Sequence, residues 1–248
     1  MSLLRRWIEV VVEPRRILGL RHLPRYFLEW RRLRAEGVRA RFTDLWPQLG
    51  DRTLATPFDP HYFFQGAWLA RRIAEAMPRQ HVDIGSDLRT VGAVSAFVPT
   101  TFLDYRPAAI SMSNLDARFG DLHRLPYDDR SLESVSCLHV IEHVGLGRYG
   151  DPIDAQGSER ACRELARVVR PGGRLYVSAP IGRPRVEFNA HRVFEPNAVV
   201  AMFAPLSLRS FAWVGDDGTM RENASPADAA SASYACGLFE FSAPASAG

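Results

Sequence analysis

Apolar and polar positions along this chain follow two different periods. Short apolar runs, which are typical of strands buried on both faces, occur near 80–84, 100–104, 133–139 and 174–179, with a weaker run at 116–119. Segments with helical spacing lie between them, near 88–96 and 157–169. A further helix is expected at 196–203, and strands at 207–214 and 236–241. The alternation predicts an α/β fold, doubly wound, with a mostly parallel sheet and helices on both faces.

The residues before this pattern have a different character. Apolar residues recur at helical spacing over 2–12 and 22–38, and Pro14 separates the two segments. After an irregular stretch at 40–58, Asp59 and Pro60 form a helix-start pattern. That helix is expected to turn five side chains inward: Tyr62, Phe63, Trp68, Leu69 and Ile73. We therefore predict an N-terminal helical arm at 1–58, a domain at 59–241 and a flexible tail at 242–248. The polar segment 215–233 is predicted to be a mobile loop.

The charge of the chain is concentrated in that arm. All 31 basic residues are Arg, and residues 1–40 hold ten Arg against four Glu, a local charge of +6 within a net charge of +3. Trp7, Tyr26, Phe27 and Trp30 are interleaved with them. This pattern favours attraction to an anionic membrane surface, and a helix pair packed on the domain is the alternative. Nucleic acid is not expected as a partner, since no recognition motif is present.

Cysteine usage and hydropathy bear on the compartment. The three cysteines are far apart and form no CxxC or CxxH pair, which argues against a structural zinc site and favours a reducing environment. No apolar run approaches the roughly 18–20 residues of a membrane span. The first residues lack the pattern of a secretory signal. We expect a cytoplasmic protein whose arm can lie at the inner face of the membrane. The oligomeric state is left open.

The segment from Gly120 to Pro180 contains the most informative motifs. It reads GDLHRLPYDD, an apolar strand that ends in HVIEHV, an amphipathic helix, and RPGGRLYVSAP. Open α/β sheets bind ligands beyond the carboxyl ends of their strands. Glu142 and His143 directly follow such a strand, so the sequence predicts them at the mouth of a site.

These motifs, in this order and spacing over about 80–196, resemble the class I S-adenosylmethionine-dependent methyltransferases. The resemblance implies a Rossmann-like fold and S-adenosylmethionine as cofactor. It is closest to a branch of unknown function that is linked to surface-glycan modification.

The resemblance also implies a set of cofactor-binding residues. Asp83, Gly85 and Ser86 match the turn after the first strand, where glycine lets the backbone approach the ligand. Asp87 occupies the second glycine position and departs from the pattern. Asp104, which ends the second strand, is assigned to the ribose hydroxyls. The assignments are completed by three residues in later turns: Asp121, Leu122 and His139.

The catalytic residues are predicted in HVIEH and in the following NAHRVF segment. Here His143 would be a general base for a hydroxyl, Glu142 would orient it, and His191 would add a polar contact. Three alternatives stay open for the first motif. HxxEH is also a zinc-peptidase signature, but the preceding run is strand-like. Imidazole and carboxylate also suit a divalent metal, although we assign no metal site. A histidine that merely caps the strand is the third.

The sequence therefore predicts an S-adenosylmethionine-dependent O-methyltransferase. The expected acceptor is a sugar hydroxyl of a glycan or glycolipid intermediate. A methyltransferase for small quinones or phenols is a second hypothesis. A non-catalytic binding or scaffold protein with this fold is a third, because Asp87 interrupts the glycine turn.

Overall fold

The protein is described by a computed structural model that covers residues 14–245. The predicted helix at 2–12 lies outside the described residues, as does Trp7. The chain forms two compact units, Met1–Phe58 and Asp59–Gly248.

Within residues 14–58, the first unit contains two helices, α1 (Pro14–Gly19) and α2 (Leu23–Ala35), and short 3-10 turns at Leu20–His22 and Phe42–Asp44. Its aromatic side chains meet edge to face, with Trp30 6.4 Å from Phe27 and 6.2 Å from Phe42 between ring centroids. The indole of Trp30 also donates to Ala40 O at 3.1 Å. These contacts tie the chain after α2 back onto that helix.

The second unit is built on an eight-stranded sheet of order β3-β2-β1-β4-β5-β10-β8-β9, beside a separate β6-β7 hairpin. In chain order the strands are β1 (His81–Ile84), β2 (Thr100–Asp104), β3 (Leu115–Phe119), β4 (Leu132–Leu138), β5 (Val169–Ile181), β6 (Arg185–Glu187), β7 (His191–Val193), β8 (Ser207–Val214), β9 (Met220–Arg221) and β10 (Ala235–Ser242). Strands β1 to β5 pair in parallel, and β10 runs antiparallel to both β5 and β8. The chain builds outward from β1 to β3 and then returns to the other side of β1 with β4. This reversal opens a crevice between β1 and β4 at their carboxyl ends.

Four helices cover the sheet: α3 (Pro60–Ala76), α4 (Leu88–Ser95), α5 (Gly157–Val168) and α6 (Pro196–Met202). Helix α3 begins where the sequence predicts, because Asp59 accepts from the backbone N–H groups of His61 and Tyr62. Its residues Trp68, Leu69 and Ile73 pack on one face of the sheet against Tyr176 and Leu238.

The opposite face of the sheet holds a separate core. There Leu165 of α5 and Val199 of α6 pack with Val135, Leu175 and Phe239 of the strands. The predicted doubly wound α/β fold, with helices on both faces, is confirmed.

Three local predictions need correction. Tyr62 and Phe63 are exposed rather than inward, and Tyr62 stacks on His139 instead of entering the core. The segment 215–233 is ordered: it contains β9 and a 3-10 turn, and Asp216 accepts from the N–H groups of Ser233 and Tyr234. Ser242 belongs to β10 rather than to the predicted tail, and the following Ala243 N donates to Gly173 O at 3.1 Å. The end of that tail, 246–248, lies outside the described residues.

A buried polar chain crosses the sheet between β1 and β4. Ser136 Oγ donates its one proton to Asp83. In its contact with His81 Nε2, 2.8 Å away, the hydroxyl must therefore be the acceptor and Nε2 the donor. His81 Nδ1 then accepts from Ser134 Oγ at 2.9 Å, and the imidazole is neutral. Burial lowers the pKa of His81 to about 3 and raises the pKa of Asp83 to about 6.

This chain makes stability depend on pH. Because the folded-state pKa of His81 is depressed, its contribution to stability is present above about pH 6.5 and is lost as the pH falls toward 3. Asp83 acts in the opposite sense, since its raised pKa gives a contribution that is present below its unfolded-state pKa of 3.8 and lost as the pH rises through about 6.

We predict that His81→Asn removes the first of these dependences. The wild-type advantage in free energy of unfolding over this variant should shrink by about 1.4 kcal/mol for each pH unit below 6.5, while the Asp83 contribution cancels in the comparison. Urea unfolding at pH 7.5, 6.5 and 5.5 measures this. Ser134→Ala, which removes one hydrogen bond and no titrating group, is the control and should show a constant difference. An equally constant difference for His81→Asn would contradict the assignment.

Candidate functional site

A cavity of about 720 Å³ lies at the β1–β4 crevice, at the edge of the sheet where the sequence predicts a site. We call it the central cavity. Six of the ten predicted site residues line it: Gly85, Asp104, Asp121, Leu122, His139 and His143. The other wall residues include Tyr105, Arg106, Tyr149 and the segment 151–154.

The floor of the central cavity is the turn after β1. Gly85 adopts φ +70°, and a Cβ at this position would lie only 3.2 Å from Val140 Cγ2. Both the backbone conformation and the close packing therefore favour glycine. Asp104 lies beside it: Oδ1 accepts from Arg106 N at 2.7 Å, and Oδ2 lies 3.9 Å from the place of that Cβ. One carboxylate oxygen is thus available next to bare backbone.

Asp83 and Ser86, two of the predicted cofactor-binding residues, are buried behind the central cavity and are not among the residues that line it. Asp83 is 1% exposed and accepts from Ser86 N at 3.1 Å. Ser86 Oγ in turn accepts from Leu138 N at 3.0 Å. The two side chains join the β1 turn to the end of β4 from inside the protein. These hydrogen bonds hold the shape of the turn from behind the cavity.

Asp87, which occupies a position where the methyltransferase pattern has glycine, has a local structural role. Asp87 is the N-cap of α4, where its carboxylate accepts from Arg89 N at 3.0 Å and pairs with the Arg89 guanidinium. Its backbone, at φ −62° and ψ 127°, is a conformation that any residue adopts. The carboxylate does not line the central cavity. This position therefore does not require glycine.

The turn after β3 supplies another wall. Gly120 is packed so closely that a Cβ would lie 2.8 Å from Leu103 Cβ. Asp121 Oδ1 accepts from His123 N at 2.8 Å and lies 2.9 Å from His123 Nδ1. Leu122 is nearly buried beside them. The turn places a carboxylate and an apolar surface on the same side of the cavity as Asp104.

His139 leaves β4 in a strained conformation. Its φ of +54° is uncommon for a residue with a Cβ, and such strain is characteristic of functional sites. Both ring nitrogens contact other side chains: Nδ1 lies 2.9 Å from Glu142 Oε1, and Nε2 lies 3.2 Å from Cys236 Sγ. Burial would lower the pKa of His139, but Cys236 and Glu142 outweigh it and raise this pKa well above its ordinary value.

Glu142 lies behind the cavity wall and is fully buried. Its Oε1 also lies 3.8 Å from His143 Nε2, while His143 Nδ1 donates to Ala190 O at 2.6 Å. Burial lowers the pKa of His143, the nearby Glu142 opposes this effect, and Arg148 and His139 add to it. His143 is therefore a neutral imidazole whose Nδ1 carries the proton and whose Nε2 is free to accept one.

His191 lies on the β6–β7 hairpin, which the sequence analysis did not predict. The hairpin is attached to the site by its neighbour Arg192, whose Nη1 donates to Val144 O at 2.6 Å and whose Nη2 donates to Asp154 O at 3.2 Å. His191 Nε2 lies 3.5 Å from Glu187 Oε2, and the ring packs on Tyr234 at a centroid distance of 5.1 Å. His191 is thus near Glu142 and His143 but does not line the central cavity.

Sequence reasoning missed several residues of this region. Tyr62 stacks on His139 at 5.7 Å, and His61 lies 6.0 Å from His139 and 5.4 Å from Tyr234. His61 and Tyr62 directly follow the recognised Asp59–Pro60 helix start, so the start of α3 was a signal for them. No local pattern marked Cys236. We call His61, His139, His143 and His191, together with Glu142, the histidine cluster.

The histidine cluster does not have the geometry of a metal centre. Among residues 14–245, no three His, Cys, Asp or Glu side chains are placed to hold one metal ion. Its histidines instead contact carboxylates, carbonyls, a thiol and one another.

The chain matches a protein-family model. The model for the family described as "Caenorhabditis protein of unknown function, DUF268" matches residues 104–231, slightly more than half of the chain. The chain belongs to the DUF268 family. The matched segment starts at Asp104, contains His139, Glu142, His143 and His191 but not His61, and ends in the ordered loop before β10. No curated protein sequence matches this chain.

Solved structures show the fold. The YcgJ protein of Bacillus subtilis superposes with a TM-score of 0.51 and 16% identity over 73% of this chain and 99% of that one. The N-methyltransferase NodS of Bradyrhizobium japonicum, in complex with S-adenosyl-L-homocysteine, gives 0.51 and 13% over 74% and 88%. The [4+2]-cyclase SpnF gives 0.50 and 14% over 72% and 81%. The second unit thus has the Rossmann-like fold of class I methyltransferases.

Proposed function

We propose that this DUF268 chain is an S-adenosylmethionine-dependent methyltransferase that binds its cofactor in the central cavity. The observation that carries the proposal is the pairing of bare backbone at Gly85 with the available carboxylate oxygen of Asp104 at the β1–β4 crevice. NodS, which shares the fold, is a methyltransferase in complex with S-adenosyl-L-homocysteine.

The residues of the central cavity fit such a cofactor by their chemistry. The carboxylate of Asp104 suits two vicinal ribose hydroxyls. The Asp121–Leu122 turn offers a carboxylate acceptor and an apolar face for adenine. The Gly85 turn lets the backbone approach the methionine part. When bound, S-adenosylmethionine supplies an electrophilic methyl group.

The proposed role of His143 is general base for an acceptor hydroxyl. A hydroxyl group of ordinary pKa is a poor nucleophile at neutral pH until a base removes its proton. His143 lines the central cavity, and its Nδ1–H is held by Ala190 O, which leaves the lone pair on Nε2. Glu142, 3.8 Å from Nε2, would stabilise the imidazolium that forms when this nitrogen takes the proton. The remaining task of the site is to position the acceptor.

We infer that the acceptor is a sugar hydroxyl of a glycan or glycolipid intermediate. Next to His139 and His143, beyond the residues that line the central cavity, a group of side chains combines aromatic faces with polar edges, which suit a hydroxylated ring. They are Tyr62, Tyr234, His61 and His191. A quinone or phenol would also fit an aromatic wall. A fold does not fix a function. The likeness to a [4+2]-cyclase keeps a different reaction as an alternative, and a non-catalytic binding protein is a further one.

Cofactor binding is predicted to depend on Gly85 and Asp104. Gly85→Val should abolish binding, because the side chain would meet Val140 and strain the backbone. Asp104→Ala should weaken it by about 1–3 kcal/mol through the loss of charged hydrogen bonds. Calorimetry with S-adenosylmethionine and S-adenosylhomocysteine measures both changes. Asp87→Ala is the matched control: it removes a carboxylate from the next helix start and should leave affinity unchanged. Normal affinity in the first two variants would rule out the site.

Turnover is predicted to depend on His143. His143→Ala should lower it by roughly 10²–10⁴ while the affinity for S-adenosylhomocysteine is kept. Because the pKa of His143 is lowered, wild-type turnover should persist below pH 6.5 and fall only as the base becomes protonated. Release of S-adenosylhomocysteine with a panel of sugars and phenols measures the rate and separates the acceptor classes. The role of His143 is falsified if the variant turns over the true acceptor at the wild-type rate.

We further propose that the basic arm lies on an anionic membrane surface. None of the described helices is long and apolar enough to cross a bilayer. The first unit nevertheless exposes large apolar side chains among its arginines, with Trp46 80% and Phe42 70% exposed. Aromatic and basic side chains together favour the lipid interface, and each basic residue near an anionic surface contributes about 1 kcal/mol.

Vesicle flotation tests this surface. The protein should float with vesicles that contain phosphatidylglycerol, less so at high salt, and not with purely zwitterionic vesicles. The double variant Phe42→Ser/Trp46→Ser should bind less. A matched change in the second unit, Phe97→Ser, removes an exposed aromatic ring outside the arm and should have no effect. Equal flotation of all three proteins would refute the proposal.

A further inference from the structure

Glu142 is a single buried carboxyl group with two imidazoles in reach. Its Oε1 lies 2.9 Å from His139 Nδ1 and 3.8 Å from His143 Nε2. The closer pair is a contact of opposite charges rather than an aligned hydrogen bond, and among the described residues neither carboxyl oxygen has a hydrogen-bond partner. One carboxylate can compensate one positive charge in a buried site, so protonation of the two histidines is coupled.

Cys236 makes the two histidines unequal. Its Sγ lies 3.2 Å from His139 Nε2, so His139 is held between sulfur on one side and a carboxyl oxygen on the other. An imidazolium carries a proton on both nitrogens, and each nitrogen of His139 here faces an atom that can compensate its charge. His143 has one such partner, since its Nδ1 already donates to the neutral carbonyl of Ala190.

The other groups around His139 come from α3 and from the residue before β10. Tyr62 stacks on its ring at 5.7 Å, and a tyrosine face favours a cation. His61, at 6.0 Å, has its pKa lowered by burial and by His139. Tyr234 is protonated at neutral pH, because burial raises its pKa to about 12. None of these groups replaces Glu142 or the Cys236 sulfur as the atom that faces a ring nitrogen of His139.

The surroundings of His143 disfavour a charge. Arg148 Nη1 lies 3.3 Å from its Nδ1 and donates to the same Ala190 carbonyl at 3.1 Å. Tyr149 meets the ring edge to face at 5.6 Å. His191, whose pKa burial lowers, is neutral and brings no negative charge of its own. A positive guanidinium beside His143 therefore opposes its protonation.

We propose that Cys236 is a positioning residue that places the positive charge of the histidine cluster on His139 and thereby keeps His143 neutral. The inference deepens the proposed function and rests on it in one respect: a neutral His143 matters because it is the base. Without Cys236, His139 would lose one of its two acceptors. Glu142 would then be free to stabilise a proton on His143, and the base would be occupied before an acceptor arrives.

The test follows both imidazoles by NMR in the full chain labelled with ¹⁵N-histidine. Long-range ¹H–¹⁵N spectra distinguish an imidazolium from each neutral tautomer, and His139→Gln and His143→Gln assign the signals. At pH 7.5 the wild type should show His139 doubly protonated and His143 protonated on Nδ1 alone. In Cys236→Ala the titration midpoint of His139 should fall by on the order of one pH unit or more, while that of His143 rises.

If Cys236 only supported the packing, its removal would not shift the titration midpoints of His139 and His143 in opposite directions. Cys162→Ala is the matched control, because Cys162 is also a fully buried cysteine but lies in α5 and should move neither midpoint. Cys236→Val, which fills the space of the thiol but offers no acceptor, gives the same comparison if the alanine variant folds poorly. Unchanged midpoints in the Cys236 variants, or a charged His143 in the wild type at pH 7.5, would overturn the proposal. The NMR measurements need no methyl acceptor. Failure of the methyltransferase proposal would therefore be seen separately, in the calorimetry with S-adenosylmethionine.

Discussion

The burial of Glu142 is the constraint around which the site is arranged. A carboxyl group that is 0% exposed is costly unless donors or positive charges surround it. His139 and His143 approach its side chain, and its backbone carbonyl accepts from Arg192 N at 3.0 Å. The same residue therefore fixes the end of β4, the charge of the cluster and the attachment of the β6–β7 hairpin.

Much of the fold could be predicted because its signals are local. Apolar runs flanked by turns mark buried strands, and Asp59 with Pro60 marks a helix start irrespective of what packs on it. The failures come from tertiary contacts. Tyr62 looks like a core residue by its spacing, yet its side chain is exposed and its ring stacks on His139, just after β4. The segment 215–233 looks mobile by composition, but Asp216 captures two backbone N–H groups seventeen and eighteen residues away.

The candidate site divides in the same way. Gly85 and Asp104 were predictable because each follows a strand whose carboxyl end must lie at the crevice. The burial of Asp83 was not predictable, because strand position does not show to which side a carboxylate points, and here Ser136 holds it inside the sheet. Cys236 could not be predicted at all. It is 97 residues from His139 in sequence, and only the antiparallel pairing of β10 with β5 brings the two side chains together.

The fold by itself does not separate a methyltransferase from a cyclase, since both share it with this chain. What distinguishes this molecule is the set of features that cost stability. His139 is held at φ +54°, Glu142 is buried without an aligned donor among the described residues, and a thiol faces an imidazole. A sequence selected for stability alone would have apolar residues at such positions. These costs fall beside one cavity wall, the wall formed by His139 and His143, and residues whose local energy is poor are expected where chemistry takes place. Gly85 and Asp104 line the same cavity, and Gly85 packs on Val140, the neighbour of His139. Under the proposed function, Gly85 and Asp104 would bind the cofactor, and the histidines beside them would control where a proton resides.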